Sequence, residues 1–380
     1  MSLSDQAPDW QARLREIVPA IEAVRDEAER ARRLPQKLVD ALRDAGFYRM
    51  WVPRCYGGHE VEPLTMLEVV EEIARHDASV AWSMMASINS ALLAARLPRA
   101  GAAEIFGDSE TVVAGSLHRG GVAVPASGGH VLTGRWRLAS ACMEASWLIA
   151  TASVGEGPDA ASASEAESHI FFVPAEQASF IDDWHSIGLR GSGSNSFAVE
   201  SVFVPDTRRI APGARLVVDG PLYRGPLAHF INPPLGALAL GIAADAVAVF
   251  AELAAKKTSR GSDLPLSERH SIQDRVGEAW CLIAAGRAYL RSATASLWAA
   301  AASGARLGPE VTRDVMASTA VATKNAVTAV GLMYAAAGST SIFETSRLER
   351  CFRDVNVVNH HDAASQLVIE RVGRHVLTGR

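Results

Sequence analysis

Apolar side chains in the first 110 residues recur at the spacing of amphipathic helices. The first helix carries this apolar face at Trp10, Leu14, Ile17, Ile21 and Val24. The segments LPQKLVDALRDAG, PLTMLEVVEEIARH and ASVAWSMMASINSALLAARL show the same period. In the first of these segments Pro35 suits the first turn of a helix and Gly46 suits its end. The pattern predicts a helical domain over residues 1–110.

After this region the pattern changes to short runs rich in β-branched and aromatic residues, punctuated by glycine. The runs are TVVAGSL, GGHVLTGRWRLAS, SWLIATASV, HIFFVPAE and SFAVESVFVP. They predict a central β domain over residues 111–215, built as an antiparallel barrel or sandwich.

Helical periodicity then returns and continues to the C-terminus. The helical stretches are rich in alanine and lie at 235–258, 266–303, 309–337 and 345–376. They predict a C-terminal four-helix bundle domain over residues 216–380, so the expected fold class is α+β and mostly α. Because these helices carry few charges on more than one face, we expect identical chains to associate.

The distribution of charge excludes several classes of partner. The formal net charge is −5, and Lys, Arg, Asp and Glu are interspersed instead of forming blocks. A nucleic-acid or anionic-membrane surface has a different pattern, so the expected partner is a small molecule. The apolar stretch 234–255 contains Asp245 and Glu252 and many alanines, which favours a packed bundle helix over a membrane span.

The four cysteines indicate a reducing compartment. Cys55, Cys142, Cys281 and Cys351 are widely separated and show no CxxC or CxxxH spacing, which argues against a disulfide framework and a zinc site. The N-terminal stretch MSLSDQAPDWQARLRE turns polar at once, unlike a signal peptide. We therefore expect a cytoplasmic protein.

A glycine, a hydroxyl residue and a tryptophan are spaced along GRWRLASACMEASWLIATA. Ser140 lies six residues and Trp147 lies thirteen residues after Gly134. A serine hydroxyl donates or accepts hydrogen bonds, which suits a ligand whose protonation changes during a reaction. The alternative for Ser140 is a hydrogen bond to a neighbour in its own sheet.

The segment HSIGLRGSGSNSFAVESVFVPDTR, residues 185–208, combines glycines with hydroxyl residues. Glycine permits a tight turn and close approach of the backbone, while Ser192 and Ser194 offer hydroxyls to a ligand. The alternative is a purely structural glycine turn. The segment lacks the strand-to-helix context of a dinucleotide fingerprint.

Two histidines and an aspartate, His360, His361 and Asp362, are adjacent in RCFRDVNVVNHHDAASQL. Histidine exchanges protons near neutral pH and serves as donor or acceptor. On a continuous helix His360 and His361 point in different directions, and we interpret His360 as structural. The alternative for His361 is a cap or hydrogen bond within the helical domain.

The order of helical, β and helical domains, together with these three segments, resembles the acyl-CoA dehydrogenase superfamily over nearly the whole chain. In that family the hydroxyl of the first segment lies against the flavin ring near N5, so the resemblance implies a flavin contact for Ser140. Together with Ser140, the implied cofactor-binding residues are Trp136, Arg190, Ser192 and Ser194. The resemblance also implies a homotetramer.

The third segment departs from the dehydrogenase pattern. Dehydrogenases of the family most often place a catalytic Glu nine residues after the Arg of an RD pair, and the ninth residue after Arg353 is Asp362, which is one methylene shorter. The family's RxxFG motif, which helps to hold the FAD pyrophosphate, is missing. His361 lies eight residues after Arg353, where the oxygenase branch of the superfamily carries a histidine.

The resemblance therefore favours the two-component, flavin-dependent monooxygenase branch, in which a separate reductase supplies reduced FMN or FAD. The expected enzyme uses O2 to oxygenate a small aromatic or heteroatom-containing substrate, with His361 as a catalytic residue. His118, in AGSLHRGGVAV, is a second candidate, and its alternative is a surface turn. Trp82, in SVAWSMM, fits a core position of a helix or a contact with ring or substrate.

Two other functions stay open. One is an acyl-CoA dehydrogenase that holds FAD and uses Asp362 as the base. The other is a non-catalytic member of the fold that serves as an assembly or binding module. All three functions share one scaffold, so the fold cannot separate them.

Overall fold

The computed structural model describes residues 8–155, 168–258 and 263–378. The chain divides into two compact units. The first unit comprises Met1–Val61, Trp82–Ser186 and Arg190–Arg224, and the second comprises Glu62–Ala81, Ile187–Leu189 and Gly225–Arg380. The predicted boundaries of three domains stay a prediction.

Helices come before and after a central group of strands, as the sequence predicts. In chain order the helices are α1 Trp10–Ala31, α2 Gln36–Asp44, α3 Pro63–His76, α4 Ala78–Ala91, α5 Arg99–Phe106, α6 Leu227–Ile231, α7 Pro233–Lys256, α8 His270–Ser303, α9 Pro309–Ala337, α10 Arg347–Val358 and α11 Gln366–Thr378. The strands are β1 Val113–Ala126, β2 Gly129–Trp136, β3 Trp147–Val154, β4 His169–Pro174, β5 Ser179–Ile181, β6 Ser196–Pro205 and β7 Arg209–Ile210.

Helix α1 forms for the reasons given by its sequence. Its apolar face is buried at the predicted positions, Trp10, Leu14, Ile17, Ile21 and Val24. Asp9 caps the helix, because its carboxylate accepts a hydrogen bond from the backbone N–H of Ala12 at 3.0 Å.

Within the described residues the strands form one seven-stranded sheet in the order β5-β6-β2-β1-β3-β4-β7. Every pairing is antiparallel except that of β1 with β3, which is parallel, so the sheet is mixed and not purely antiparallel as predicted. β2 and β3 pair with opposite edges of β1. The chain returns along β2 to the end of the sheet where β1 starts, so Val113 pairs with Trp147 and β3 runs parallel to β1. Residues 137–146, here called the crossing segment, join β2 to β3 and contain Ser140.

One face of the sheet is packed as a core. Trp136 stacks on Phe197 with ring centroids 5.1 Å apart, and its indole N–H donates to the carbonyl oxygen of Thr151 at 2.8 Å. The buried residues around this pair include Leu132, Leu148, Phe171, Val173 and Val199. This core holds the two strands at the ends of the crossing segment.

The second unit contains the predicted C-terminal helices. Three of the predicted stretches match α7, α8 and α9. The fourth stretch, 345–376, was predicted as continuous helix and is instead interrupted between α10 and α11 by a turn that carries His360, His361 and Asp362. His360 and His361 therefore lie outside helix and Asp362 begins a short 3-10 turn, so the predicted helical angle between the two histidines does not apply.

Among the described residues, two helical stretches have the length and hydropathy of a membrane span, Ala78–Ala95 and Leu227–Lys256. Within their most apolar windows, 78% and 56% of the residues are buried inside the protein. Such burial is common for core helices of water-soluble proteins, so the membrane interpretation is weak.

Candidate functional site

Three serines predicted to bind a cofactor come together in the first unit. Ser140 Oγ lies 2.8 Å from Ser194 Oγ, and Ser194 Oγ lies 2.9 Å from Ser192 Oγ. Trp82 on α4 donates its indole Nε1–H to Ser140 Oγ at 2.8 Å. We call Trp82, Ser140, Ser192 and Ser194 the serine cluster.

The backbone fixes the positions of the three hydroxyls. The N–H of Ala141 donates to the carbonyl oxygen of Ser192 at 3.2 Å, and the N–H of Ala139 donates to that of Asn195 at 3.1 Å. The crossing segment is thus joined on both sides of Ser140 to the loop that carries Ser192 and Ser194. The sequence allows this loop because Gly193 occupies a left-handed conformation with φ of +53°.

The serine cluster runs from the interior toward the surface. Ser192 is 0% exposed and Ser194 is 3% exposed, whereas Ser140 is only partly buried. Buried hydroxyls need hydrogen-bond partners, and here they find them in one another. The geometry leaves Ser140 as the hydroxyl that can reach a bound molecule.

Glu144 in the crossing segment is a residue that the sequence did not single out. Its Oε1 accepts a hydrogen bond from the backbone N–H of Leu34 at 3.1 Å, while its Oε2 is buried and finds no partner within the described residues. Burial raises the pKa of this carboxyl to about 7, because the charged form loses its hydration. Burial likewise raises the pKa of the nearby Cys142 thiol to about 12, so this cysteine stays protonated.

Two of the predicted cofactor residues lie outside the serine cluster. Trp136 belongs to the core of the sheet, where its ring and its N–H are already engaged by Phe197 and Thr151. Arg190 pairs with Glu29, with 3.8 Å between its Nε and the carboxylate oxygen. These contacts within the fold explain the positions of the Trp136 and Arg190 side chains.

His118 lies on an irregular part of β1. The pairing of β1 with β3 skips from Ser116 to Arg119, so that Leu117 and His118 form a bulge, and both side chains are exposed. The N–H of His118 donates to Ser116 Oγ at 3.3 Å. Bulges often redirect side chains beside functional sites, so the position of His118 is compatible with its prediction as a second catalytic candidate.

The histidine turn lies in the second unit. His361 Nδ1 accepts a hydrogen bond from the backbone N–H of Ala363 at 3.1 Å and caps the short 3-10 turn that begins at Asp362. Because Nδ1 accepts, the neutral ring carries its proton on Nε2. His361 and Asp362 are both exposed, and His360 Nδ1 lies 2.7 Å from the carbonyl oxygen of Asn356. The local geometry therefore supports a structural role for His360.

The second and third sequence motifs meet within the second unit. The side chain of Arg353 donates to the carbonyl oxygen of Ile187, and the backbone N–H of Leu189 donates to Asp354. A Cβ on Gly188 would lie 2.5 Å from the carbonyl carbon and oxygen of Arg353. Residues 187–189 therefore pack directly on α10, and the chain enters the serine-bearing loop at the next residue.

Comparison with known proteins identifies the family to which this chain belongs. Residues 9–105 match the model of the acyl-CoA dehydrogenase N-terminal domain, and residues 234–366 match that of the C-terminal domain. Together these matches cover more than half of the chain. The chain belongs to the acyl-CoA dehydrogenase family.

Characterised relatives of this family member are oxygenases. The indole-3-acetate monooxygenase of Pseudomonas putida is 29% identical over 365 residues, 93% of this chain and 92% of the relative. The oxygenase component of the FADH2-dependent resorcinol hydroxylase of Rhizobium sp. is 28% identical, covering 88% of this chain and 85% of the relative.

A solved structure of XiaF from Streptomyces sp., in complex with FADH2 and glycerol, superposes with a TM-score of 0.91. It is 25% identical and covers 98% of this chain and 95% of that chain. The comparisons confirm the predicted fold class, the predicted resemblance to the flavin-dependent monooxygenase branch, the oxidoreductase class and the reduced-flavin cofactor. The roles of individual site residues stay predictions.

Proposed function

We propose that this chain is the oxygenase component of a two-component flavin-dependent monooxygenase that acts on a small aromatic or heteroatom-containing substrate. The observation that carries the proposal is the serine cluster, which brings Ser140, Ser192 and Ser194 together in a chain of hydroxyls. Relatives named for indole-3-acetate and resorcinol support an aromatic substrate.

The residues of the serine cluster fit a flavin. Ser140 is the partly exposed end of a buried hydroxyl chain, and the edge of a flavin ring offers carbonyl oxygens and nitrogens as hydrogen-bond partners. Bound reduced flavin supplies the electrons with which O2 is activated and one oxygen atom is transferred to the substrate. Ser140 then holds the ring, while Ser192 and Ser194 hold Ser140.

His361 is the proposed catalytic residue of the second unit. Its Nδ1 accepts the N–H of Ala363, so the neutral ring carries its proton on Nε2. This tautomer suits a hydrogen-bond donor that controls a proton during oxygen transfer. We keep His118 as a second candidate for substrate contact. Asp362 is the competing base of the dehydrogenase alternative.

The proposal is tested by following oxygen atoms. The purified chain is supplied with FAD or FMN, NADH, an unrelated flavin reductase, ¹⁸O2 and a panel of phenols and indoles, and products are analysed by mass spectrometry. We expect one ¹⁸O atom in the product of at least one substrate. Omission of the reductase abolishes the product unless chemically reduced flavin is added.

The dehydrogenase alternative makes the opposite prediction under nitrogen. The chain loaded with oxidised FAD is mixed with a panel of acyl-CoA thioesters, and the visible absorbance of the flavin is followed. Bleaching by any thioester, with no ¹⁸O transfer in the first assay, contradicts the monooxygenase. Flavin binding is checked separately by thermal unfolding, since a ligand that binds the folded state raises the melting temperature.

We also propose a cytoplasmic homotetramer. The second unit exposes large apolar side chains that association would cover: Trp280, Ile342, Phe343, Leu367, Val376 and Leu377. Such side chains support an interface between identical chains. The four cysteines are free, which supports a reducing compartment.

Sedimentation velocity tests the assembly. The wild-type chain is expected to sediment as a tetramer, and Trp280→Glu is expected to shift it toward smaller species, because a charge is placed in an apolar contact. A monomeric wild type at micromolar concentration contradicts the proposal.

A further inference from the structure

We propose, resting on the flavin-dependent function above, that Glu144 is a positioning residue of the flavin site. It acts through the last turn of α1 and the connection that follows this helix, residues 29–34, here called the α1 end. The α1 end holds the crossing segment and the serine-bearing loop side by side, in the spacing that a bound flavin needs. Every residue of this arrangement belongs to the first unit.

Glu144 joins the crossing segment to the α1 end. Its Oε1 accepts a hydrogen bond from the backbone N–H of Leu34 at 3.1 Å, across 110 residues of sequence. The side chain of Leu34 is buried, so this contact is anchored in the core. The backbone N–H of Glu144 donates to the carbonyl oxygen of Ala141 at 3.2 Å, within the same turn as Ser140. A shift of Glu144 therefore moves the part of the crossing segment that carries Ser140.

The α1 end also holds the chain that leads into the serine-bearing loop. The guanidinium of Arg32 donates to the carbonyl oxygen of Trp184 at 3.2 Å and to the carboxylate of Asp182 at 2.8 Å. A Cβ on Gly193 would lie 3.3 Å from the carbonyl oxygen of Arg32, so the serine-bearing loop packs directly on the backbone of the α1 end. One short segment thus contacts both parts of the chain that form the serine cluster.

The backbone of Arg32 supports a positioning role. Arg32 ends α1 in a left-handed conformation with φ of +54°, which glycine adopts far more readily than arginine. Such conformations persist where the surrounding structure fixes them, and they are concentrated near functional sites. Here the hydrogen bonds of the Arg32 side chain to Trp184 and Asp182 fix the residue.

The geometry of the Glu144 carboxyl favours its neutral form. Oε1 accepts the N–H of Leu34, so the proton of the neutral carboxyl lies on Oε2, which is buried and has no hydrogen-bond partner among the described residues. A buried neutral O–H without a partner costs less than a buried charge without one. The ionised side chain is therefore driven to turn toward water, and this movement breaks the contact with Leu34.

Three titratable groups face Glu144, namely those of Arg33, Tyr48 and Cys142. Burial raises the pKa of Glu144 to about 7, and this effect exceeds the opposing effect of the positive charge on Arg33. Burial also raises the pKa of Tyr48 and of Cys142, so both of these side chains are neutral in the same pH range. The contact between Glu144 and Leu34 is expected to hold below pH 7 and to weaken above it.

Two measurements at pH 6 and pH 8.5 test the proposal. The first is the dissociation constant of chemically reduced FAD under nitrogen. The second is hydrogen exchange of the flavin-free chain, followed by mass spectrometry of the peptide that contains Leu34. Ionisation of the flavin and the intrinsic exchange rate depend on pH alike in every variant, so each variant is compared with wild type at the same pH.

The variants separate the contact from its ionisation. Glu144→Gln keeps an acceptor for Leu34 and cannot ionise, whereas Glu144→Ala removes the acceptor. Arg32→Gly removes the contacts to Trp184 and Asp182 and is compatible with the left-handed backbone. Glu16→Gln, at an exposed position of α1, is the matched control.

Glu144→Gln is expected to bind reduced FAD as wild type does at pH 6 and about fivefold more tightly than wild type at pH 8.5, the value of one neutral hydrogen bond. Glu144→Ala is expected to bind about fivefold more weakly than wild type at pH 6 and to differ little from it at pH 8.5. Arg32→Gly is expected to weaken binding about two- to fivefold at both pH values. Glu16→Gln is expected to follow wild type throughout.

Hydrogen exchange reports the same contact without any flavin. The peptide that contains Leu34 is expected to exchange alike in Glu144→Gln and wild type at pH 6, and more slowly in Glu144→Gln at pH 8.5. Glu16→Gln is expected to exchange as wild type at both pH values.

A purely structural role of Glu144 predicts that Glu144→Gln changes reduced-FAD affinity by the same factor at both pH values, and this result overturns the proposal. Equal exchange of the Leu34 peptide in Glu144→Gln and wild type at pH 8.5 also overturns it. Wild-type affinity in Arg32→Gly overturns the role of the α1 end in holding the serine-bearing loop. A wild type that binds no reduced FAD overturns the proposed function, while the exchange measurement still decides whether ionisation of Glu144 releases Leu34.

Discussion

Asp354 on α10 accepts a hydrogen bond from the backbone N–H of Leu189 at 2.6 Å. This contact joins two segments that lie 165 residues apart in the sequence. Asp354 is itself buried, and Arg350 lies beside it, 3.8 Å away. Arg350 also pairs with Asp77 at 2.8 Å, and Asp77 accepts the N–H of Val80 at the start of α4. One buried charge network thus connects the first turn of α4, α10 and residues 187–189 within the second unit.

The first prediction concerns Asp354. We expect Asp354→Ala to lower the free energy of unfolding by about 2 to 3 kcal/mol, because it removes one acceptor of the Leu189 N–H and half of the negative charge around buried Arg350. Urea unfolding followed by circular dichroism measures the change. Asp274→Ala on the exposed side of α8 is the control and is expected to change stability little. Equal stability of the two variants would show that the network is not important for folding.

The second prediction concerns Gly188. An added Cβ would lie 2.5 Å from the backbone of Arg353 and 2.8 Å from the N atom of Asp354, and backbone cannot move aside as a side chain can. We expect Gly188→Ala to destabilise the protein by about 2 kcal/mol or more.

The matched control for Gly188 is Gly331→Ala within α9, where an added Cβ meets nothing within 4 Å. Alanine is the better helix former, so this substitution is expected to stabilise by up to about 1 kcal/mol. The two glycine variants should therefore shift the melting temperature in opposite directions. A shift of the same sign in both would refute the close packing of residues 187–189 on α10.

Local periodicity predicted those parts of the fold that depend on local contacts. The apolar face of α1 was read directly from Trp10, Leu14 and Ile17, because one helix face is buried along its whole length. The parallel pairing of β1 with β3 was missed, because the choice of partner strand depends on residues far apart in sequence. The end of α10 at Val358 was also missed, because the helical period resumes in α11 and the short polar stretch 359–362 fits within one helix.

The sequence predicted only part of the candidate site. Ser140, Ser192 and Ser194 were found through the family resemblance, and the fold brings them together. The donor role of Trp82 was not found, because a tryptophan at helical spacing looks like any core aromatic and its partner Ser140 lies 58 residues away. Glu144 gave no signal, because its burial is a consequence of tertiary packing.

The third prediction uses the raised pKa of Glu144. Burial raises the folded-state pKa to about 7 from the ordinary value of 4.5, so between these values the folded state binds more protons than the unfolded state. Stability from this group is present below pH 4.5 and is lost as the pH rises through 7. We expect Glu144→Gln, which keeps an acceptor for Leu34, to be more stable than wild type at pH 8 and to lose this advantage at pH 4.5.

Urea midpoints at several pH values measure this difference. Glu278→Gln, at an exposed position of α8, is the control and is expected to follow wild type throughout. If the difference in urea midpoint between Glu144→Gln and wild type is the same from pH 4.5 to 8, the Glu144 carboxyl is not the source of the pH dependence.

The fourth prediction separates His361 from Asp362. If His361 controls a proton during oxygen transfer, His361→Ala should lower product formation about 100-fold or more, while reduced-flavin binding stays near wild type. Asp362→Asn should stay within about twofold of wild type, because the neighbouring carboxylate has no part in this chemistry. Product by mass spectrometry and hydrogen peroxide by a coupled assay measure how much of the consumed O2 is used productively.

His361 also caps the turn through Ala363, so loss of activity in His361→Ala has a structural explanation that must be separated. His361→Asn makes the separation, because asparagine is a good capping residue and its amide oxygen can accept the same N–H, yet it cannot exchange a proton as imidazole does. We expect His361→Asn to recover thermal stability but not product formation. Recovery of both thermal stability and product formation would show that His361 acts only as a cap. A strong loss of activity in Asp362→Asn would instead favour Asp362 as the base of a dehydrogenase.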